Sequence, residues 1–192
     1  MGTTSRKCLR RRWCKRRKLT RWLAPTFASI HAIEPNPEAL DELRQDLPHN
    51  VTVHAVGAWS CSGDLTFTRF AHSVHLTAYF QHEGINTGPK LGEITLSCQA
   101  LDEMGIQAPV TLLKCDTEGA EVECLRGAQK LITRDRPWLL IECHSNENFW
   151  ELSDILRRLD YNFTVVRHPH YKPFSDLWYS HCWLSCQPQL AN

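Results

Sequence analysis

An apolar run that ends in an acid and leads directly into a helical pattern constrains the fold of this chain most. The run "VTLLKCD" (110–116) has the composition of a buried strand, and "TEGAEVECLRGAQKLI" (117–132) predicts a helix. The same order recurs where "PWLLIECH" (137–144) precedes a helical pattern over 147–159. Unalternating apolar strands that alternate with helices are typical of parallel sheets covered on both faces. We therefore predict an α/β fold with a doubly wound, mostly parallel sheet.

The other predicted elements fit this order. A short strand at 29–35 is stopped by Pro35, which lacks a backbone donor, and Asn36 and Pro37 then open the next helix. Near the C-terminus we expect antiparallel pairing. The remaining predictions are a helix over 36–47, strands over 51–59, 64–70, 93–101, 162–168 and 177–186, a long loop over 71–92, and a turn or short helix at 102–104.

Charge divides the chain into two parts. Residues 1–22 carry ten Lys or Arg, and the first acidic residue is Glu34. The remaining 170 residues hold 12 basic and 21 acidic groups. With 192 residues and 42% hydrophobic content, the chain can bury one core. We therefore expect a basic, irregular or loosely helical arm over 1–24 and a single acidic domain over 25–190.

This distribution limits the partners. An acidic domain would repel nucleic acid, which could be held only through the arm. The arm is rich in Arg and free of acids, as mitochondrial targeting segments are, but it has few hydroxyl residues and no clear apolar face, so this interpretation ranks low. No apolar run is long enough to span a bilayer. We expect a cytoplasmic protein, and the sequence predicts no particular oligomeric state.

Nine cysteines raise the question of disulfides or metal. Several lie in apolar strand-like runs, where Cys behaves as a small hydrophobic residue, so we predict reduced thiols. His181, Cys182 and Cys186 are close in sequence but lack a second ligand pair at the spacing of zinc sites. We predict no bound metal.

Three predicted strands end in acids. These acids are Glu34, Asp116 and Glu142, and His144 follows two residues after the last. In open parallel sheets, ligands bind beyond the carboxyl ends of the strands. A carboxylate such as Glu34 can accept both hydroxyls of a ribose, although an acid in a solvated turn would give the same pattern. His144 has the chemistry of a proton acceptor near neutral pH.

Two more acids, Glu118 and Glu121, fall in the first turn of the helix after Asp116. Acids at this place complement the positive end of the helix dipole. That explanation suffices for Glu121, but it explains Asp116 less well, because a carboxylate at the tip of an apolar strand must find partners or stay in water.

These residues lie in blocks that resemble the FkbM family of class I, Rossmann-like methyltransferases. The pattern K-x-D-x-E-G-A-E with a downstream L-x-G-A is distinctive, and E-P-N-P precedes it in register. The matching blocks follow the family order: "HAIEPNPEALDELRQDL" (31–47), "VTVHAVGAWSCSGDLTF" (51–67), "QALDEMG" (99–105), "VTLLKCDTEGAEVECLRGAQKLI" (110–132), "RPWLLIECH" (136–144) and "LRRLDYNF" (156–163).

The resemblance implies methyl transfer from S-adenosylmethionine to a hydroxyl of a sugar or related small molecule. By resemblance Glu34, with Pro35 and Asn36 beside it, would hold the cofactor ribose, and Ala58 and Trp59 would border the adenine. Asp116 would face the methyl group, and three residues would shape the acceptor pocket: Glu118, Glu142 and His144. A base such as His144 or Asp116 would remove the hydroxyl proton.

The chain departs from the family upstream of these blocks. Family members resemble D-x-G-A-N-x-G there, whereas no glycine occurs here between Gly2 and Gly57. We therefore expect an incomplete Rossmann-like sheet, a truncated or alternatively started enzyme, and impaired cofactor binding. The alternative is a non-catalytic methyltransferase remnant whose basic arm binds nucleic acid or another polyanion.

Overall fold

The computed structural model describes residues 19–70, 90–107, 109–117, 119–167 and 182–189. Several predictions fall outside these residues: most of the basic arm, most of the 71–92 loop, Glu118, His181 and the first part of the last predicted strand. Within the arm, residues 19–23 are helical. The chain divides into two compact units, the first formed by 1–57, 64–76 and 86–98, the second by 58–63, 77–85 and 99–192.

The first unit contains a β-α-β element. Strand β1 (Ile30–Ile33), helix α1 (Pro37–Leu43) and strand β2 (Val51–His54) follow in order. The two strands pair in parallel, with Ile30 opposite Val51. Helix α1 buries Leu40 and Leu43, as the apolar spacing of the sequence predicts. It ends at Leu43 rather than at 47, the last residue of the predicted helix.

The predicted strand over 51–59 is interrupted at residues 55–56. Its second part is the short strand β3 (Gly57–Ala58). Strands β4 (Gly63–Phe70) and β5 (Lys90–Gln99) join it in a three-stranded sheet of order β3-β5-β4. A 3-10 turn, Leu101–Glu103, follows at the predicted place.

The second unit is built on a four-stranded sheet of order β6-β7-β9-β8. Strands β6 and β7 pair in parallel, whereas β9 is antiparallel to both of its neighbours. The antiparallel C-terminal strand is therefore confirmed. The bounds are β6 (Leu112–Cys115), α2 (Glu121–Arg126), α3 (Gln129–Asp135), β7 (Trp138–Cys143), α4 (Asn146–Arg158), β8 (Tyr161–Arg167) and β9 (Cys182–Pro188).

Burial alternates along the two central strands of this sheet, β7 and β9. On β7, Leu139, Ile141 and Cys143 are buried, whereas the residues between them are half-buried or exposed. Strand β9 shows the same alternation. Successive side chains point to opposite faces, and α2 and α4 both contact β7, so these helices cover the buried face. Helices on both faces were expected, but the opposite face of this sheet is only half-buried among the described residues.

The predicted helix over 117–132 is two helices, because the chain turns at Gly127. An added Cβ on Gly127 would lie 1.9 Å from the carbonyl oxygen of Trp59, so only glycine fits. Asp102 then caps α3 by accepting hydrogen bonds from the backbone N–H groups of Lys130 (3.0 Å) and Leu131 (2.8 Å). Contacts with residues distant in sequence therefore divide a segment whose local pattern is continuous.

The described cysteines, from Cys61 to Cys186, are free thiols, and all of them except Cys61 are buried. This agrees with the prediction of reduced thiols that pack as small apolar side chains.

Candidate active site

A fully buried carboxylate, that of Glu121, lies at the start of α2. Its side chain is 0% exposed. Its Oε1 accepts hydrogen bonds from the backbone N–H groups of Thr117 and Gly119, both at 3.0 Å, and from the Thr117 hydroxyl at 3.1 Å. Gly119 has φ 110°, a conformation that favours glycine. The β6–α2 turn therefore forms a cradle of donors around this carboxylate.

Two further donors come from the end of β7 and the start of α4. His144 Nδ1 lies 2.9 Å from Glu121 Oε1, and the Asn148 side-chain amide donates to Glu121 Oε2 at 3.1 Å. Asn148 is held in place because α4 begins at Ser145, whose hydroxyl accepts from the Asn148 backbone N–H at 3.0 Å. Glu121 thus connects the two elements that follow the parallel strands β6 and β7.

The charge of Glu121 fixes the role of each nitrogen of His144. Burial raises the pKa of Glu121, but the hydrogen bond and charge of His144 and the N–H of Gly119 lower it further, so its pKa lies below the ordinary value. An ionised carboxylate only accepts hydrogen bonds, so Nδ1 of His144 must donate to it. In the neutral imidazole, Nε2 then carries the lone pair that can take a proton.

Glu142 lies on the Nε2 side of His144, and Asp116 is close to both residues. Glu142 Oε1 lies 3.9 Å from His144 Nε2, and the side chains of the two residues are 20% and 10% exposed. The Lys114 ammonium lies 2.7 Å from Asp116 Oδ2. The structure therefore brings together Asp116, expected at the methyl group, and two of the residues expected at the acceptor, Glu142 and His144.

Asp116 is held in its ionised form. Burial raises the pKa of Asp116, but the charge and hydrogen bond of Lys114 and the charge of His144 lower it further, below the ordinary range. A carboxylate with a lowered pKa is a weak base. Among the candidate bases, His144 is therefore better suited than Asp116 to accept a proton near neutral pH.

The residues expected to hold the cofactor ribose lie in the first unit. The Glu34 side chain follows β1 and is buried, with Oε1 accepting from the Asn36 backbone N–H at 2.9 Å. Pro35 is half-buried between them. Burial excludes the interpretation of Glu34 as an acid in a solvated turn; its role toward a ribose stays a prediction.

Ala58 and Trp59, expected beside the adenine, belong to the second unit and are half-buried. The Trp59 backbone N–H donates to the Gln99 carbonyl at 3.1 Å, and its own carbonyl lies against Gly127. Glu118, expected at the acceptor, lies outside the described residues.

Three residues of this site could also hold a metal ion. Asp116, Glu142 and His144 each offer one ligand atom, and these atoms lie within 4.8 Å of one another. No bound metal was expected from the sequence, in which Asp116 lies 26 residues before Glu142. The Lys114 ammonium already lies against Asp116, so a cation here would compete with it.

The fold and the site together define an α/β protein with ionisable groups gathered at the carboxyl ends of two parallel strands, where α/β proteins bind ligands. No described helix is both long and apolar enough to cross a membrane.

The chain belongs to the FkbM methyltransferase family. The family model described as "Methyltransferase FkbM domain" matches residues 18–163, more than half of the chain. The expected family membership is confirmed.

Two similar proteins support this assignment. The chain is 27% identical over 137 residues to the hexuronic acid methyltransferase AglP of Haloferax volcanii, a match that covers 70% of this chain and 55% of the relative. The crystal structure of an FkbM methyltransferase from Methylobacillus flagellatus matches with a TM-score of 0.59 and 22% identity, over 88% of this chain and 40% of that one. The chain thus spans about half the length of these proteins, and the second match concerns the fold alone.

Sequence reasoning missed the central residue of the site. Glu121 was explained by the helix dipole, but in the structure it is the buried acceptor that orients His144. A signal was present, because Glu121 is the last residue of the pattern K-x-D-x-E-G-A-E, and Ser145 is a typical N-cap residue that positions Asn148. The hydrogen bond between Asn148 and Glu121, which are 27 residues apart, could not be predicted from the spacing of residues in the sequence.

Proposed function

We propose that this chain is an S-adenosylmethionine-dependent methyltransferase that methylates a hydroxyl of a sugar or related small molecule. Family membership supports methyl transfer, and the relative that modifies a hexuronic acid supports a sugar-like acceptor. The observation that carries the proposal is the hydrogen bond from His144 to the buried Glu121, because it leaves Nε2 of His144, near Glu142, as the nitrogen that can take a proton.

The proton step follows from this geometry. When the acceptor hydroxyl is methylated, His144 Nε2 would take up its proton, while a bound cofactor would give up the methyl group and keep the electron pair of its carbon–sulfur bond. The imidazolium then bears a positive charge, which the ionised Glu121 stabilises through Nδ1. When bound, the cofactor supplies the electrophilic methyl group.

Glu142 and Asp116 would act on the acceptor in different ways. Glu142 lies close enough to His144 Nε2 to accept a hydrogen bond from a neighbouring hydroxyl of the same acceptor. Asp116, ionised beside Lys114, would place a negative charge near the sulfonium of the cofactor. Glu118 stays a candidate for the acceptor pocket by family resemblance.

The residues of this chain suit the adenosine half of the cofactor better than its methionine half. Glu34, a buried carboxylate fixed at the end of β1, has the chemistry to bind the ribose diol, with Pro35 and Asn36 beside it. Ala58 and Trp59 would border the adenine. Residues 19–56 contain no glycine that would allow the backbone close to the methionine half, so we propose weakened cofactor affinity.

A product assay tests this function. The full chain would be incubated with S-adenosylmethionine carrying a deuterated methyl group and with D-glucuronic acid or D-glucose, and the sugar analysed by mass spectrometry. We expect a labelled methyl ether with at least one sugar, and none when the cofactor is omitted. The absence of both labelled sugar and S-adenosylhomocysteine, at millimolar cofactor, would contradict the proposal.

A further inference from the structure

An indole ring lies beside the proposed acceptor site, on the half-buried face of the four-stranded sheet. Trp183 on β9 pairs directly with Glu142 on the antiparallel strand β7. Directly opposed residues of antiparallel strands project to the same face, with Cβ atoms about 4.5–5.5 Å apart. The Trp183 ring is only half-buried. An aromatic surface therefore stands next to the carboxylate that lies near His144 Nε2.

Lys114 contacts both the Trp183 ring and Asp116. Its ammonium lies 4.9 Å from the centre of the Trp183 ring and 2.7 Å from Asp116 Oδ2. Lys114 is opposite Leu140 on β7, two residues before Glu142, so both share the face of Trp183. The face thus carries a flat apolar ring bordered by a cation and by two carboxylates.

We propose that Trp183 is the surface on which the ring of a sugar acceptor stacks, while Lys114 and Glu142 hydrogen-bond its hydroxyls. The inference rests on the proposed function, since it names how that same site binds its acceptor. It adds Trp183, which neither family resemblance nor strand-end position had indicated. It also gives a role to Lys114, which belongs to the family pattern but had none assigned.

The chemistry of a pyranose fits this surface. One face of the sugar presents C–H groups polarised by neighbouring oxygens, and the negative face of an indole attracts such groups. The ammonium of Lys114 has three N–H donors, so it can bind Asp116 and still donate to a sugar oxygen. Glu142 accepts from a hydroxyl. A ring held in this way has a fixed orientation, and the hydroxyl nearest Glu142 is presented to His144 Nε2.

Sugar binding to the full chain tests the inference without requiring turnover. Saturation-transfer NMR would follow the C–H protons of D-glucuronic acid, the probe, with the wild type and with Trp183→Ala, Trp183→Phe and Trp150→Phe. We expect Trp183→Ala to weaken binding about five- to tenfold. Trp183→Phe retains an aromatic face and should stay within about threefold of the wild type. Trp150, which is 60% exposed on α4, is the matched control and should have no effect.

The outcomes separate this inference from the proposed function. Equal binding by Trp183→Ala and the wild type, or no binding of D-glucuronic acid to the wild type, would overturn the stacking proposal. Where methyl transfer is measurable, Trp183→Ala should raise KM for the sugar, because the stacking surface is lost. Methyl transfer with an unchanged KM would refute the inference alone, whereas binding without methyl transfer would refute the function alone.

Discussion

The residue on which the proposed chemistry depends is Glu121. Asp116, Glu142 and His144 could be predicted as site residues from the sequence, because each lies at or just after the end of a strand. The same reasoning could not find Glu121, since an acid in the first turn of a helix is common and is normally exposed. Its function depends on donors from two regions that are distant in the sequence: Gly119 beside it, and His144 with Asn148 after β7.

A pH dependence of stability follows from the burial of Glu121. Its pKa is lowered in the folded state from the ordinary value of 4.5. Near pH 4.5 the unfolded chain therefore binds more protons, and the stabilising contribution is complete above that pH and lost as the pH falls below it. Urea unfolding of the wild type between pH 7 and 3 should show this loss, whereas Glu121→Gln should show less of it.

The exposed Glu147 on α4 provides a matched control. Glu147→Gln should follow the wild-type pH curve. If the curves of the wild type and Glu121→Gln were parallel throughout this range, the assignment of an ionised, hydrogen-bonded Glu121 would be refuted.

At the scale of elements, the strands were predicted better than the helices. Apolar composition located β6 and β7 to within two residues, because buried strands need continuous apolar runs. The helix over 117–132 was predicted as continuous, because nothing local marks a break at Gly127. The break comes from Trp59 and Asp102, which are distant in sequence.

Gly127 should therefore tolerate no side chain. Gly127→Ala would place its Cβ against the Trp59 carbonyl, and the backbone there cannot move without disturbing the Asp102 cap of α3. We expect a loss of about 2–3 kcal/mol in the free energy of unfolding. Urea denaturation measures it, with the exposed Lys130→Ala on α3 as control. A change below about 0.5 kcal/mol, typical of surface sites, would show that the close approach is not required.

At the scale of the whole molecule, the α/β class and the antiparallel last strand were predictable from the order of elements. The division of the described strands into three sheets was not. Strands β1 and β6 are edges of their sheets among the described residues, and no local pattern shows which strand an edge will pair with. The incomplete Rossmann-like sheet stays a prediction.

Kinetics of His144 variants test the central claim most directly. With D-glucuronic acid as acceptor, S-adenosylhomocysteine release would be measured for the wild type, His144→Gln, Glu121→Gln and the exposed control His49→Gln. We predict that His144→Gln lowers kcat about 10²- to 10⁴-fold and Glu121→Gln at least about tenfold, with His49→Gln unchanged. Wild-type kcat in His144→Gln would contradict the assignment of His144, oriented by Glu121, as the proton acceptor.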